Sequence, residues 1–247
     1  MNSYRSPSID PSDVPDLFHG IRADSAHWHE VWNFSLAGTR TAIASTASVY
    51  GLATLGEVPL DDLRQRPEAF PGTFVSGFGA TVMQAAMIRA GMNVGIGVPP
   101  YETRWYSDEV RDRIIHNADR ELIFEQVRRA VAPDASSRLS CIWAVEDTWR
   151  GRAWVERMMG VESFTFSARL VTAVRVSRCD ARWLDATSDL RQDAARGYWS
   201  GDVMGSDPLW EYLIEGVIQA RNAEDVQRAK HWAVANYPKP SPPTDQE

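Results

Sequence analysis

The sequence predicts an α+β protein, and three observations carry that expectation. Alanine-rich stretches with helical spacing dominate the first half of the 247 residues, runs of alternating apolar and polar residues crowd the second half, and the two kinds of element do not alternate strictly, as a doubly wound sheet would require. With 44% hydrophobic residues, the chain carries ample material for a packed core.

Residues 1–15 set Pro7, Pro11 and Pro15 among serines and aspartates, and residues 238–247 read PKPSPPTDQE. Such composition buries little, so both are expected as flexible tails flanking a single domain over 16–237. Residues 16–22 read as a first strand, with Leu17, His19 and Ile21 alternating against Phe18, Gly20 and Arg22. Residues 25–55 have a helical pattern, and 56–76, with Pro59, Pro67 and Pro71, read as loop. Residues 77–91 form a glycine-bounded helix, followed by irregular chain through Pro99 and Pro100. Ser107 before Asp108 and Glu109 is a helix start, and Val110, Ile114, Ala118, Leu122, Val127 and Ala130 keep near the 3.6 period until Pro133. Residues 25–135 thus form a mainly helical insertion.

The remainder is richer in strands. Residues 139–145 alternate as a strand, Asp147 opens a helix toward Met159, and 164–176 alternate over a long run. A short strand over 181–184 and a helix over 187–197 follow. The last strand, 209–218, places Glu211, Leu213, Glu215 and Val217 on one face and Trp210, Tyr212, Ile214 and Ile218 on the other. Asn222 with Asp225 three residues on starts a final helix to about residue 236.

Several function classes are excluded. The net charge of -7 and pI near 5.3 oppose bulk binding to nucleic acid or anionic membrane, though a specific nucleic-acid acceptor stays open. The longest apolar stretch, 80–98, is broken by Gln84, Arg89 and Asn93, whereas a span needs about 20 nearly uninterrupted apolar residues. With no secretory signal at the start, a cytoplasmic protein is expected. Cys141 and Cys179 lack zinc or disulfide spacing and read as buried reduced thiols. His27 and His29 diverge on an expected helix with no third ligand nearby, so no metal is expected. The glycine-rich stretch 91–97 lacks the lysine of a phosphate loop, and there is no G-x-S-x-G elbow.

What remains is a histidine inside the first strand, LFHGIR, and two acids inside the last, WEYLIEGVI. A carboxylate in a strand is costly unless it meets solvent, a partner or a ligand. Together with RELIFEQVRRAVAPDASSRLSCIWAVED at 120–147, RWLD at 182–185, GYWSG at 197–201 and PLWEYLIEG at 208–216, these segments resemble the ADP-ribosyltransferase superfamily of His-Tyr-Glu type, found in poly-ADP-ribose polymerases and RNA 2'-phosphotransferases, and more closely a bacterial family carrying that pattern. The resemblance covers about half of the chain, through the order and separation of its segments.

The resemblance implies a split antiparallel sheet that binds NAD+ as substrate, without metal, and passes ADP-ribose to an unidentified acceptor with release of nicotinamide. His19 would contact the adenosine ribose, Gly20 would hold the nicotinamide amide through its backbone, and Glu211 would stabilise the oxocarbenium-like transition state. Glu215 is the alternative acid. The expected second-strand tyrosine is absent from SRLSCIWAVED; Trp143 stands in for it as the nicotinamide platform, with Arg138 and Ser140 toward ribose or pyrophosphate. Tyr198, Trp199 and Glu215 would face the acceptor. Two other readings are a catalytically inactive nucleotide- or protein-binding module on the same fold, and an NAD+-dependent RNA 2'-phosphotransferase, for which Arg138, Arg150 and Arg152 are few and scattered.

Overall fold

The computed structural model describes residues 7–22, 42–44, 58–70, 76–92, 94–95, 104–159, 163–185, 192–225 and 227–228. Its strands are β1 (Leu17–Arg22), β2 (Ala42–Ala44), β3 (Val94–Gly95), β4 (Arg104–Trp105), β5 (Ile142–Glu146), β6 (Ser163–Asp180) and β7 (Trp210–Ala220). Its helices are α1 (Leu60–Gln65), α2 (Gly77–Arg89), α3 (Asp108–Val131), α4 (Trp149–Met159), α5 (Arg182–Asp185) and α6 (Gln192–Trp199). The arrangement is mixed α and β, with every strand pair antiparallel.

The main sheet runs β2-β7-β5-β1-β6, and β6 also pairs with β7. That second pairing follows from length. Residues 163–168 of β6 pair with β1 and residues 168–180 with β7, so the strand curls the sheet back onto itself. Register shifts near Leu170 and Ala173 bend it there. At the same bend a side chain on Gly216 would stand 2.2 Å from the Thr172 carbonyl oxygen, so the crossing needs glycine.

Period two divides the two cores. Leu17, Ile21, Ile142, Ala144, Phe166, Ala168, Val176, Tyr212, Ile214 and Ile218 form a buried cluster made of strand residues alone, the inside of the curled sheet. Phe18, Trp143, Val145, Cys179 and Leu213 project the other way, against Phe124 and Val127 of α3, Trp154 and Val155 of α4, and Tyr198 and Trp199 of α6. A third cluster joins Leu63 of α1, Val82 and Ala85 of α2, and Ala118 and Leu122 of α3.

Ser107 caps α3 through the Val110 amide, where the sequence places the start. Other elements differ from expectation. Residues 7–14 are docked, not a tail: Ile9 donates its amide to Val176, Arg178 to Pro7, and Ile9 and Val14 pack on the inner core. The expected loop over 56–76 contains α1 and a 3-10 turn at Pro67–Ala69, and within the expected helix over 25–55 the residues Ala42–Ala44 form β2 on the edge of β7. The rest of 25–55, with His27 and His29, lies outside the described residues, as do 238–247 and most of the expected final helix. The expected strand over 181–184 is instead α5, because Asp180 accepts the Arg182 amide and turns the chain. β5 begins at Ile142 rather than 139, since residues 137–140 form a turn closed by Ser140 N–H to Ser137 O. α4 begins at Trp149 because Thr148, not Asp147, caps the Gly151 amide.

Candidate functional site

The densest polar constellation is buried on the helix-covered face of the sheet. Glu211 projects from β7 at 0% exposure, which an anion tolerates only with a partner. Arg138 supplies it from the turn before β5: its Nη1 lies 2.7 Å from Glu211 Oε2 and its Nε 2.8 Å from Glu121 Oε2 of α3. The Tyr198 hydroxyl of α6 donates to the same Glu211 Oε2 at 2.5 Å and receives Arg138 Nη1 at 3.0 Å. One guanidinium therefore bridges two carboxylates and a phenol from three separate elements. Phe78 of α2 closes the cluster with its ring 4.0 Å from the guanidinium carbon. Its placement follows from Ser76, whose hydroxyl oxygen accepts the Gly79 amide and donates its proton to Arg138 O, and whose own amide donates to Leu139 O.

Burial and charge set the protonation of this cluster. Burial pushes the Glu211 carboxyl above its usual range against the pull of Arg138 and Tyr198. Burial and the neighbouring Glu211 raise the Tyr198 phenol well above its usual range. For Arg138, burial opposes the charge, but Glu121 and Glu211 outweigh it and hold the guanidinium firmly protonated. A second buried cluster lies one helical turn on: Glu125 bonds Arg128 twice, at 2.7 and 2.9 Å, and accepts from Arg129 and Ser137. Glu215, also at 0% exposure, points toward Ser136, Ser137 and Arg175, whose Nε is 3.5 Å from Oε2.

His19 is elsewhere. Phe18 pairs with Val145 and Val145 with Glu211, so those three side chains share a face and His19, one residue on, takes the opposite one. Its ring lies inside the curled sheet, edge-on to Phe166 and Trp143. Nδ1 is 2.7 Å from the Trp143 carbonyl oxygen, which can only accept, so Nδ1 carries the proton. Burial lowers the imidazole pKa to about 4 despite that bond, so the ring is neutral. The β1–β5 ladder stops at Phe18, and at His19 the two strands part.

The structure thus brings Arg138, Tyr198 and Glu211 together and leaves His19, Gly20 and Trp143 outside their cluster. Gly20 faces α4, where a side chain would meet Val155 Cγ1 at 2.9 Å and Met159 Cγ at 3.0 Å, so helix packing favours glycine there. Trp143 is core, between Trp154 and Phe78. Arg138 and Ser140, expected to reach ribose or pyrophosphate, are buried, and Arg138 spends its donors on Glu121, Tyr198 and Glu211. The acceptor-facing placement of Tyr198, Trp199 and Glu215 is corrected: all three are at most 1% exposed, and Trp199 donates its indole N–H to Phe124 O. Sequence reasoning passed over Glu121, Glu125 and Phe78. The signal was present, because Glu121 and Glu125 fall on the stripe Ala118, Leu122 that faces the core, where an acid demands a buried cation.

Among the described residues no three His, Cys, Asp or Glu side chains converge as a metal site, and no helix is long and apolar enough to cross a membrane. Fold and buried cluster define a mixed α and β protein whose antiparallel sheet is clamped to three helices through one guanidinium. Residues 100–227, more than half of the chain, match the model of a protein family of unknown function, DUF2441, and the chain belongs to that family. The match contains Glu121, Arg138, Tyr198 and Glu211 and excludes His19, Gly20 and Phe78. No curated protein matches the sequence significantly.

Proposed function

We propose that the protein is an ADP-ribosyltransferase-like enzyme that takes NAD+ as substrate, releases nicotinamide and passes ADP-ribose to an acceptor. The observation that supports this reading most is strand order: β1 with His19, β5 with Trp143 and β7 with Glu211 are consecutive in one antiparallel sheet, and the seam between β1 and β5 opens at His19. Segments widely separated in sequence are thereby adjacent strands, with His19 and Glu211 on opposite faces of the sheet. The neutral His19 commits Nδ1 to the Trp143 carbonyl oxygen, which fixes the ring at that seam.

A second reading, a module that holds a nucleotide without turning it over, is favoured by one observation. Glu211 is fully buried, faces away from His19 and is saturated on Oε2 by Arg138 and Tyr198, so its carboxylate meets a bound ribose only if Phe78 and α2 are displaced. Calorimetric titration with NAD+ alongside a nicotinamide assay separates the two. Binding with release, in the presence or absence of cell lysate, supports the enzyme; binding without release supports the module; absence of both from folded protein removes both readings.

A further inference from the structure

Where β5 ends, α4 begins and the chain enters β7, the surface holds a cavity of about 380 Å³ lined by Glu146, Trp149, Arg150, Asp207 and Trp210, among others. None of these residues belongs to the buried cluster or to the seam at His19. Arg150 and Asp207 pair with each other across it, which cancels their charges. Glu146, half-buried at the end of β5, enters no ion pair among the described residues, so its carboxylate is available to the cavity. Trp149 projects beside it at 79% exposure, a large apolar surface that packing within the described residues does not use. One guanidinium already lies on this wall: that of Arg178 stacks over the indole of Trp210, 4.4 Å from the ring centre.

We propose that this cavity binds the guanidinium of an arginine side chain on a partner polypeptide. Glu146 supplies the counter-charge and Trp149 the aromatic face on which the planar cation stacks, while Arg150, held by Asp207, stays out of its way. A guanidinium fits better than an ammonium, because it is flat, weakly hydrated and able to meet a carboxylate through two donors while lying on an indole. The proposal is independent of the NAD+ reading.

The test follows the indole N–H resonances of Trp149 and Trp210 in the full chain, with Trp149 identified by Trp149→Phe. N-acetylarginine amide is titrated against N-acetylcitrulline amide, a neutral isostere, in wild type and Glu146→Gln. The arginine probe is expected to shift both resonances saturably, with roughly millimolar affinity and at least about tenfold more tightly than citrulline. In Glu146→Gln, shown to be folded by its melting curve, arginine should fall to the citrulline level. Equal affinity for the two probes, an unchanged arginine affinity in Glu146→Gln, or no shift at all would overturn the proposal.

Discussion

Tyr198 and Arg138 both donate to a single oxygen, Oε2 of Glu211, at 2.5 and 2.7 Å. That shared oxygen ties α6 and the turn before β5 to the middle of the sheet. Because Arg138 also holds Glu121, the two donors are unequal. Arg138→Met strands two buried carboxylates, and is expected to cost about 3–5 kcal/mol of stability. Tyr198→Phe removes one hydrogen bond and keeps the ring, and is expected to cost about 1–2 kcal/mol. Urea unfolding of the two variants should show that ranking; equal losses would mean that the guanidinium is not the centre of the cluster.

His19 makes stability depend on pH in a stated direction. Its folded pKa of about 4 lies below the usual 6.5, so the unfolded chain takes up the proton first. The contribution of the neutral ring is complete above about pH 6.5 and is lost as pH falls toward 4, by on the order of 3 kcal/mol. Unfolding free energies measured across that window should fall in wild type and lose this component in His19→Asn. An identical slope in both would remove His19 as its source.

Two glycines should respond unequally to alanine. At Gly20 the new methyl group meets the flexible end of Met159 and a Val155 methyl, whereas at Gly216 it meets the Thr172 carbonyl oxygen at 2.2 Å. A side chain can yield and a strand backbone cannot, so Gly20→Ala is expected to cost about 1–3 kcal/mol and Gly216→Ala more. Melting temperatures of the pair are the check.

Cys141 and Cys179 are fully buried, and burial pushes both thiols well above their usual pKa. Neither should react with a thiol reagent at neutral pH until the protein is unfolded. Alkylation followed by mass spectrometry, with and without denaturant, reads this directly.

Much of the fold was legible because its elements announce themselves locally. Ser107 and the 3.6-residue stripe fix α3, and alternation fixes β7 together with the faces of Glu211 and Tyr212. The short elements were not legible, since α1 sits among prolines and α5 depends on Asp180 reaching its own backbone. The site was half legible. Single residues such as Glu211 and Arg138 stand out as polar groups in apolar runs, but their pairing depends on which face each strand turns to the helices. Phe18↔Val145↔Glu211 sets that relation, and no spacing within one segment contains it.

Turnover of NAD+ is read from nicotinamide release, measured for wild type, Glu211→Gln and His19→Asn after each is confirmed folded by its melting curve. Release by wild type is expected, alone or once lysate supplies an acceptor, with loss of release in Glu211→Gln. Folded wild-type protein that releases no nicotinamide under either condition is not an ADP-ribosyltransferase.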